Sequence, residues 1–140
     1  MKILLAVDGS AYTKKMLAYL AAHDELTAGS HAYTALTVQP PLPPRARAAL
    51  GKDVIAQYYA EEAAQVLDPV CAFLGQRQVQ VQRLSQVGPA GETIAQVAEE
   101  GKFDLIIMGT HGHGALGKLV MGSVSTQVLA HCSVPVLLIR

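Results

Sequence analysis

Net charge is missing from this chain: 11 basic residues face 11 acidic ones. It therefore shows no electrostatic footprint for nucleic acid or an anionic membrane. Long apolar runs are missing too, and none approaches the roughly 18 residues of a membrane-spanning helix. Met1-Lys2 is followed by only five apolar residues before Asp8. That is too short for a signal peptide. Met1–Val7 reads instead as a first strand, and the cytoplasm is the expected location. Cysteine is scarce, with only Cys71 and Cys132. They show no Cys-x-x-Cys or metal spacing and read as buried thiols in apolar helical surroundings. His23, His31 and His131 are scattered, lack ligand spacing and read as structural. Ordinary apolar residues are plentiful, at 51% of 140 residues. That is enough for one domain, residues 1–140, with a real core.

Strand and helix patterns alternate along the chain. Lys2–Val7 is apolar nearly throughout, as in a strand covered on both faces. Asp8-Gly9-Ser10 breaks it, and Ser10 is placed to cap the next helix. Tyr12–Ala22 carries Met16, Leu17, Tyr19 and Leu20 at helical spacing. Asp24 to Ser30 reads as a loop, and His31–Val38 as a second strand. Gln39-Pro-Pro-Leu-Pro-Pro44 has four prolines in six residues, so it reads as a stiff extended connection. Ala46 to Leu74 is helical, with a break at Gly51, a kink or new turn at Pro69 and a stop at Gly75. Tyr58 and Tyr59 read as helix packing or an interface rather than a base-stacking platform. Val79–Leu84 begins by alternating apolar and polar residues, which suggests an edge strand. Val87 to Gly91 is a turn, Ala90 to Glu100 a helix, and Phe103–Met108 a buried strand. A last helix begins near Ser123. Val134–Ile139 is the final strand, and Pro135 means that it lies at a sheet edge or begins there.

This β-α alternation predicts an α/β fold: a single open five-stranded parallel sheet with helices on both faces. The third strand is the wettest, and the first and fourth are among the most apolar. Strand order 3-2-1-4-5 fits that pattern. The ligand crevice of such a sheet lies outside the carboxyl ends of the central strands where the winding reverses. Here those ends are Asp8 and Met108-Gly109.

The segment after the fourth strand holds Gly109, Gly112, Gly114, Gly117 and Gly122. A glycine loop between a strand's carboxyl end and a helix's amino end exposes amides to an anion, and the helix dipole adds to the attraction. Phosphate is the obvious candidate. The loop is not a Walker loop, because no Gly-Lys-Ser/Thr follows at the required spacing. Gly112, Gly114 and Gly117 match G-x-G-x-x-G literally, but they lie too late in the chain for a dinucleotide unit. The fuller pattern is Gly109-x2-Gly112-x9-Gly122-Ser123.

That pattern resembles the ATP-binding motif of the universal stress protein family. Ile3-Leu-Leu-Ala-Val-Asp8-Gly-Ser10 resembles the family's first strand and acidic residue. Cys132-Ser-Val-Pro-Val-Leu-Leu-Ile139 resembles its last strand. The resemblance covers essentially the whole chain. It implies a Rossmann- or flavodoxin-like fold and a homodimer through the last strand. Its implied ligand is ATP or another adenine nucleotide, with Mg²⁺ or Mn²⁺ on the phosphates. By the same resemblance, Gly109, Gly112, Gly122 and Ser123 hold the phosphates, while Val124 and Ser125 add amide and hydroxyl contacts. Ala6, Val7 and Asp8 line the nucleoside side, and Val38 borders the adenine. Asp8 then faces the base, the ribose or a metal on the triphosphate. Met108 closes the strand at the crevice. Ser10 is a cap or a contact, and His111 reaches a phosphate or faces solvent. His113 is expected in solvent. Lys118, the basic side chain of the loop, is solvated or pairs with phosphate as a point charge.

Three functions compete. A nucleotide-dependent stress-response module, signalling through dimer or partner contacts, leads. A weak ATPase or a nucleotidyl or phosphoryl transferase needs a placed base. Only His111, His113 and Asp8 are available, so no catalytic residue is assigned. A ligand-free dimeric scaffold is the third.

Overall fold

The computed structural model describes residues 1–113 and 120–140. Strand β1 (Lys2–Ala6) leads into helix α1 (Ala11–Ala22). A four-residue helix, α2 (Asp24–Thr27), precedes strand β2 (Ala32–Gln39). Helices α3 (Pro44–Ala49) and α4 (Lys52–Gly75) then lead to strand β3 (Val81–Val87). Helix α5 (Ala90–Glu100), strand β4 (Leu105–Gly109), helix α6 (Ser123–His131) and strand β5 (Val136–Ile139) complete the order. The sheet is parallel with strand order β3-β2-β1-β4-β5, as the apolar pattern requires.

Several boundaries differ from the sequence reading. The stretch from Asp24 contains a helical turn, α2, rather than only loop. Asp24 and Glu25 occupy its first turn, where the helix dipole favours acidic groups. The proline connection ends early because Pro44 starts α3 at a position where a missing N–H costs nothing. Pro69 lies inside α4, which continues to Gly75. Gly75 ends the helix as expected, and the left-handed residue that then reverses the chain is Gln78 (φ 63°). Strand β3 runs on to Val87 because Gln39 pairs opposite Val87 and its carbonyl then accepts from Gly88 N–H at 2.9 Å. Cys71 and Cys132 are half-buried rather than buried. Ser10 occupies the N-cap position of α1 but makes no side-chain cap bond.

Two cores form, one on each face of the sheet. Ile3, Leu5 and Val7 of the first strand and its end join Met16 and Leu20 of α1 and Leu67, Val70 and Leu74 of α4. The alternate residues Leu4 and Ala6 join Leu36, Ile94 and Ala98 of α5, Ile106, Met108 and Val128 of α6. This is the period-2 division that a pleated strand imposes.

Candidate functional site

A cavity of about 400 Å³ opens at the carboxyl ends of β1 and β4. Its lining includes Ala6, Val7, Asp8, Val38, Met108, Gly109, His111, Gly112, Gly122, Ser123, Val124 and Ser125. Every residue assigned above to the ligand is thus gathered there except Ser10. Ser10 is buried, and its Oγ has no hydrogen-bond partner among the described residues. Gly114, Gly117 and Lys118 lie outside the described residues.

The acidic corner is built at the end of β1. Gly9 (φ 76°) turns the chain sharply, and glycine tolerates that conformation. The Asp8 carboxylate caps the turn itself. Its Oδ1 accepts from Ser10 N–H at 2.9 Å and from the Thr13 hydroxyl at 3.1 Å, and Thr13 Oγ1 in turn accepts from Asp8 N–H at 3.1 Å. Oδ2 points toward the glycine loop. A Cβ added at Gly112 would sit 2.6 Å from it. The loop can lie against the carboxylate only because residue 112 has no side chain.

The loop follows β4. A Cβ at Gly109 would meet Tyr12 Cβ at 2.5 Å, so α1 packs directly onto the strand's end. His111 Nδ1 lies 2.8 Å from Thr110 Oγ1, and its ring sits against Tyr12 with centroids 5.0 Å apart. His113 is exposed, as expected, yet it also lines the cavity, and its Nε2–H donates to the Asp8 carbonyl at 2.7 Å. That bond ties the β4–α6 loop to the β1–α1 turn.

Helix α6 supplies the third wall. Gly122 is its N-cap, and Gly122 N–H donates to Thr110 O at 2.7 Å. The first bond onto the Gly122 carbonyl comes from Thr126 N–H. The amides of Ser123, Val124 and Ser125 therefore have no acceptor within the helix. The one Ser125 hydroxyl proton is shared between Thr110 O (2.8 Å) and Gly122 O (3.1 Å), so Ser125 has its amide rather than a hydroxyl proton to offer a ligand.

Strand β2 supplies the fourth. Leu36 O accepts from Val7 N–H at 2.9 Å, so the Leu36 peptide groups face β1. Gln39 O accepts from Gly88 N–H, so Gln39 faces the β3 side. By alternation, Val38 N–H and C=O face the β1 side. Pairing with β1 ends at Leu36, so the Val38 peptide edge looks into the cavity.

Leu36, Ala90, Ile94, Thr13 and Thr110 also line the cavity and carried no assignment from the sequence. Leu36 was findable, since it lies two residues before Val38 on the same strand face. Thr13 and Thr110 left no comparable signal, because their roles depend on which turn folds against which. Among the described residues, no group of three His, Cys, Asp or Glu side chains could hold a metal ion. No helix among them is long and apolar enough to cross a membrane.

A family profile described as universal stress protein family matches residues 1–140. Universal stress protein Slr1230 of Synechocystis is 35% identical over 139 residues, covering 99% of this chain and 42% of that protein. A Thermus aquaticus universal stress protein, in the QAH/OAS sulfhydrylase 3′ region, is 35% identical over 140 residues, with 99% and 97% covered. The chain thus spans less than half of the first relative and nearly all of the second. The solved structure of MJ0577, from Methanocaldococcus jannaschii, superposes with a TM-score of 0.81 at 26% identity, covering 99% of this chain and 94% of that one.

Proposed function

The chain belongs to the universal stress protein family, and from that premise we propose that its crevice binds an adenine nucleotide, ATP foremost. The observation that carries this reading is one cavity whose walls offer three unlike kinds of contact. A peptide edge at Val38 offers one donor and one acceptor side by side, the complement of adenine's N1 and 6-amino group. The amides at the start of α6 and the glycine loop suit phosphates. The Asp8 carboxylate would repel a phosphate placed beside Gly112, so it suits a ribose hydroxyl, with the phosphates directed toward Gly122 and Ser123.

Similar folds carry ligands of this class: an Arabidopsis thaliana family member has AMP bound, and an Archaeoglobus fulgidus member is in complex with dAMP. Mg²⁺ or Mn²⁺ would fit as an ion carried on the phosphate oxygens and water, because Asp8 is the one carboxylate in the described lining. The protein would act as one nucleotide-binding domain in the cytoplasm, a homodimer through the open edge of β5, reporting nucleotide state by partner contacts. Hydrolysis would be negligible. The titratable groups of the described lining are Asp8, His111 and His113, and each is held by a protein partner rather than placed as a base.

Mass spectrometry of the small molecule that copurifies with the protein, followed by titration with ATP, ADP and AMP, tests the reading. An adenine nucleotide with micromolar affinity is the expected result. A non-nucleotide ligand would overturn it.

A further inference from the structure

The proline connection and Tyr59 have no part in the crevice as described, yet they meet. Of residues 40–44, only Leu42 carries a backbone N–H, since the other four are prolines. That N–H donates to the Tyr59 phenol oxygen at 2.8 Å. Tyr59 holds the start of the same segment as well, because Gln39 Nε2 donates to the Tyr59 carbonyl at 2.8 Å. One residue of α4 thus grips the segment at two points, and the nearer point is the neighbour of Val38. On its other side Gln39 is bonded through its carbonyl to Gly88.

Resting on the adenine reading of the crevice, we propose that Tyr59 is a positioning residue that sets the base-reading peptide edge of Val38. Proline fixes φ near −65°, so Pro40, Pro41 and Pro43 make the segment a stiff strut. A flexible connection would absorb a shift at Leu42 before it reached Val38. A stiff one passes it on. Discrimination between adenine and guanine depends on where one N–H and one C=O point, because the two bases present opposite donor and acceptor patterns on the edge that Val38 faces. The side chain that fixes the strut therefore sharpens the preference for adenine, although it touches no ligand. Tyr59 is half-buried and its ring meets Tyr58 edge-on at 5.7 Å, so Tyr59→Phe keeps the packing and removes only the acceptor.

The test is the ratio of GTP to ATP dissociation constants, measured by competition against a fluorescent ATP analogue, for the wild-type chain, Tyr59→Phe and Gln39→Leu. Tyr59→Phe is expected to lower the ratio about fivefold, the scale of one lost hydrogen bond. Gln39→Leu is expected to lower it in the same direction. A ratio unchanged in both variants overturns the proposal, including where both nucleotides weaken together, since general loosening of α4 would do that. A wild-type chain that binds neither nucleotide overturns instead the adenine reading on which the proposal rests.

Discussion

The two faces of the sheet are made from the same strands and end differently. On the face covered by α1 and α4, Ile3, Leu5, Met16, Leu20, Val70 and Leu74 are all essentially inaccessible. On the face covered by α5 and α6, the core continues through Leu36, Ile94 and Met108 and then opens, and those residues line the cavity. Val7 is the only member of the first core's buried set in the described lining. The long helix α4 lies along β2 and β3 on one side, whereas the short helices α5 and α6 leave the ends of β1 and β2 uncovered on the other. The closed face supplies stability. The open face gives up some burial to make room for a ligand.

This contrast can be broken experimentally, and the largest effect should come from the closed face. Leu20→Ala empties a fully buried position of that core and should cost about 2–5 kcal/mol in denaturant unfolding. Nucleotide affinity of the protein that remains folded should not change. Gly122→Val acts on the open face. Its Cβ would lie 3.1 Å from Thr110 O and 3.2 Å from the His111 Cα, at the helix end where amides face the cavity. ATP affinity should fall by at least about tenfold, a change of about 1.4 kcal/mol, with far-ultraviolet circular dichroism unchanged. Asp8→Ala removes the cap held by Ser10 N–H and Thr13. It should cost about 1 kcal/mol of stability and weaken adenosine as well as ATP. Arg83→Ala, on the exposed edge strand, breaks the ion pair with Asp68. With both side chains about half exposed or more, the loss should stay under about 1 kcal/mol, with no effect on ligand.

The closed face was the more legible of the two in sequence. Lys2–Val7 and the helical spacing of Met16, Leu17 and Leu20 report burial directly, because periodicity is a local consequence of which side is covered. Strand order followed from which strands were wettest. The crevice was legible where it depends on backbone freedom: Gly109, Gly112 and Gly122 advertise close approach. It was illegible where it depends on contact between distant turns. Nothing local to His113 says that it reaches the carbonyl of Asp8, 105 residues away. Ser10 shows the opposite failure. Its residue type fits a cap, but the Asp8 carboxylate holds the Ser10 N–H in the turn, and the Ser10 hydroxyl is buried without a partner among the described residues. The bounds of β3 were misplaced for a third reason. Gly75 does end α4, but the chain reverses only at Gln78, and pairing with β2 rather than the local apolar alternation sets where the next strand begins and ends.

The most direct test is isothermal titration of ATP with Mg²⁺ into the wild-type chain alongside Gly122→Val. One site per chain, saturating well below millimolar ATP in the wild type and at least about tenfold weaker in the variant, is the predicted result. No heat of binding to the wild type at millimolar nucleotide, or equal binding by both proteins, would contradict the assignment of this crevice.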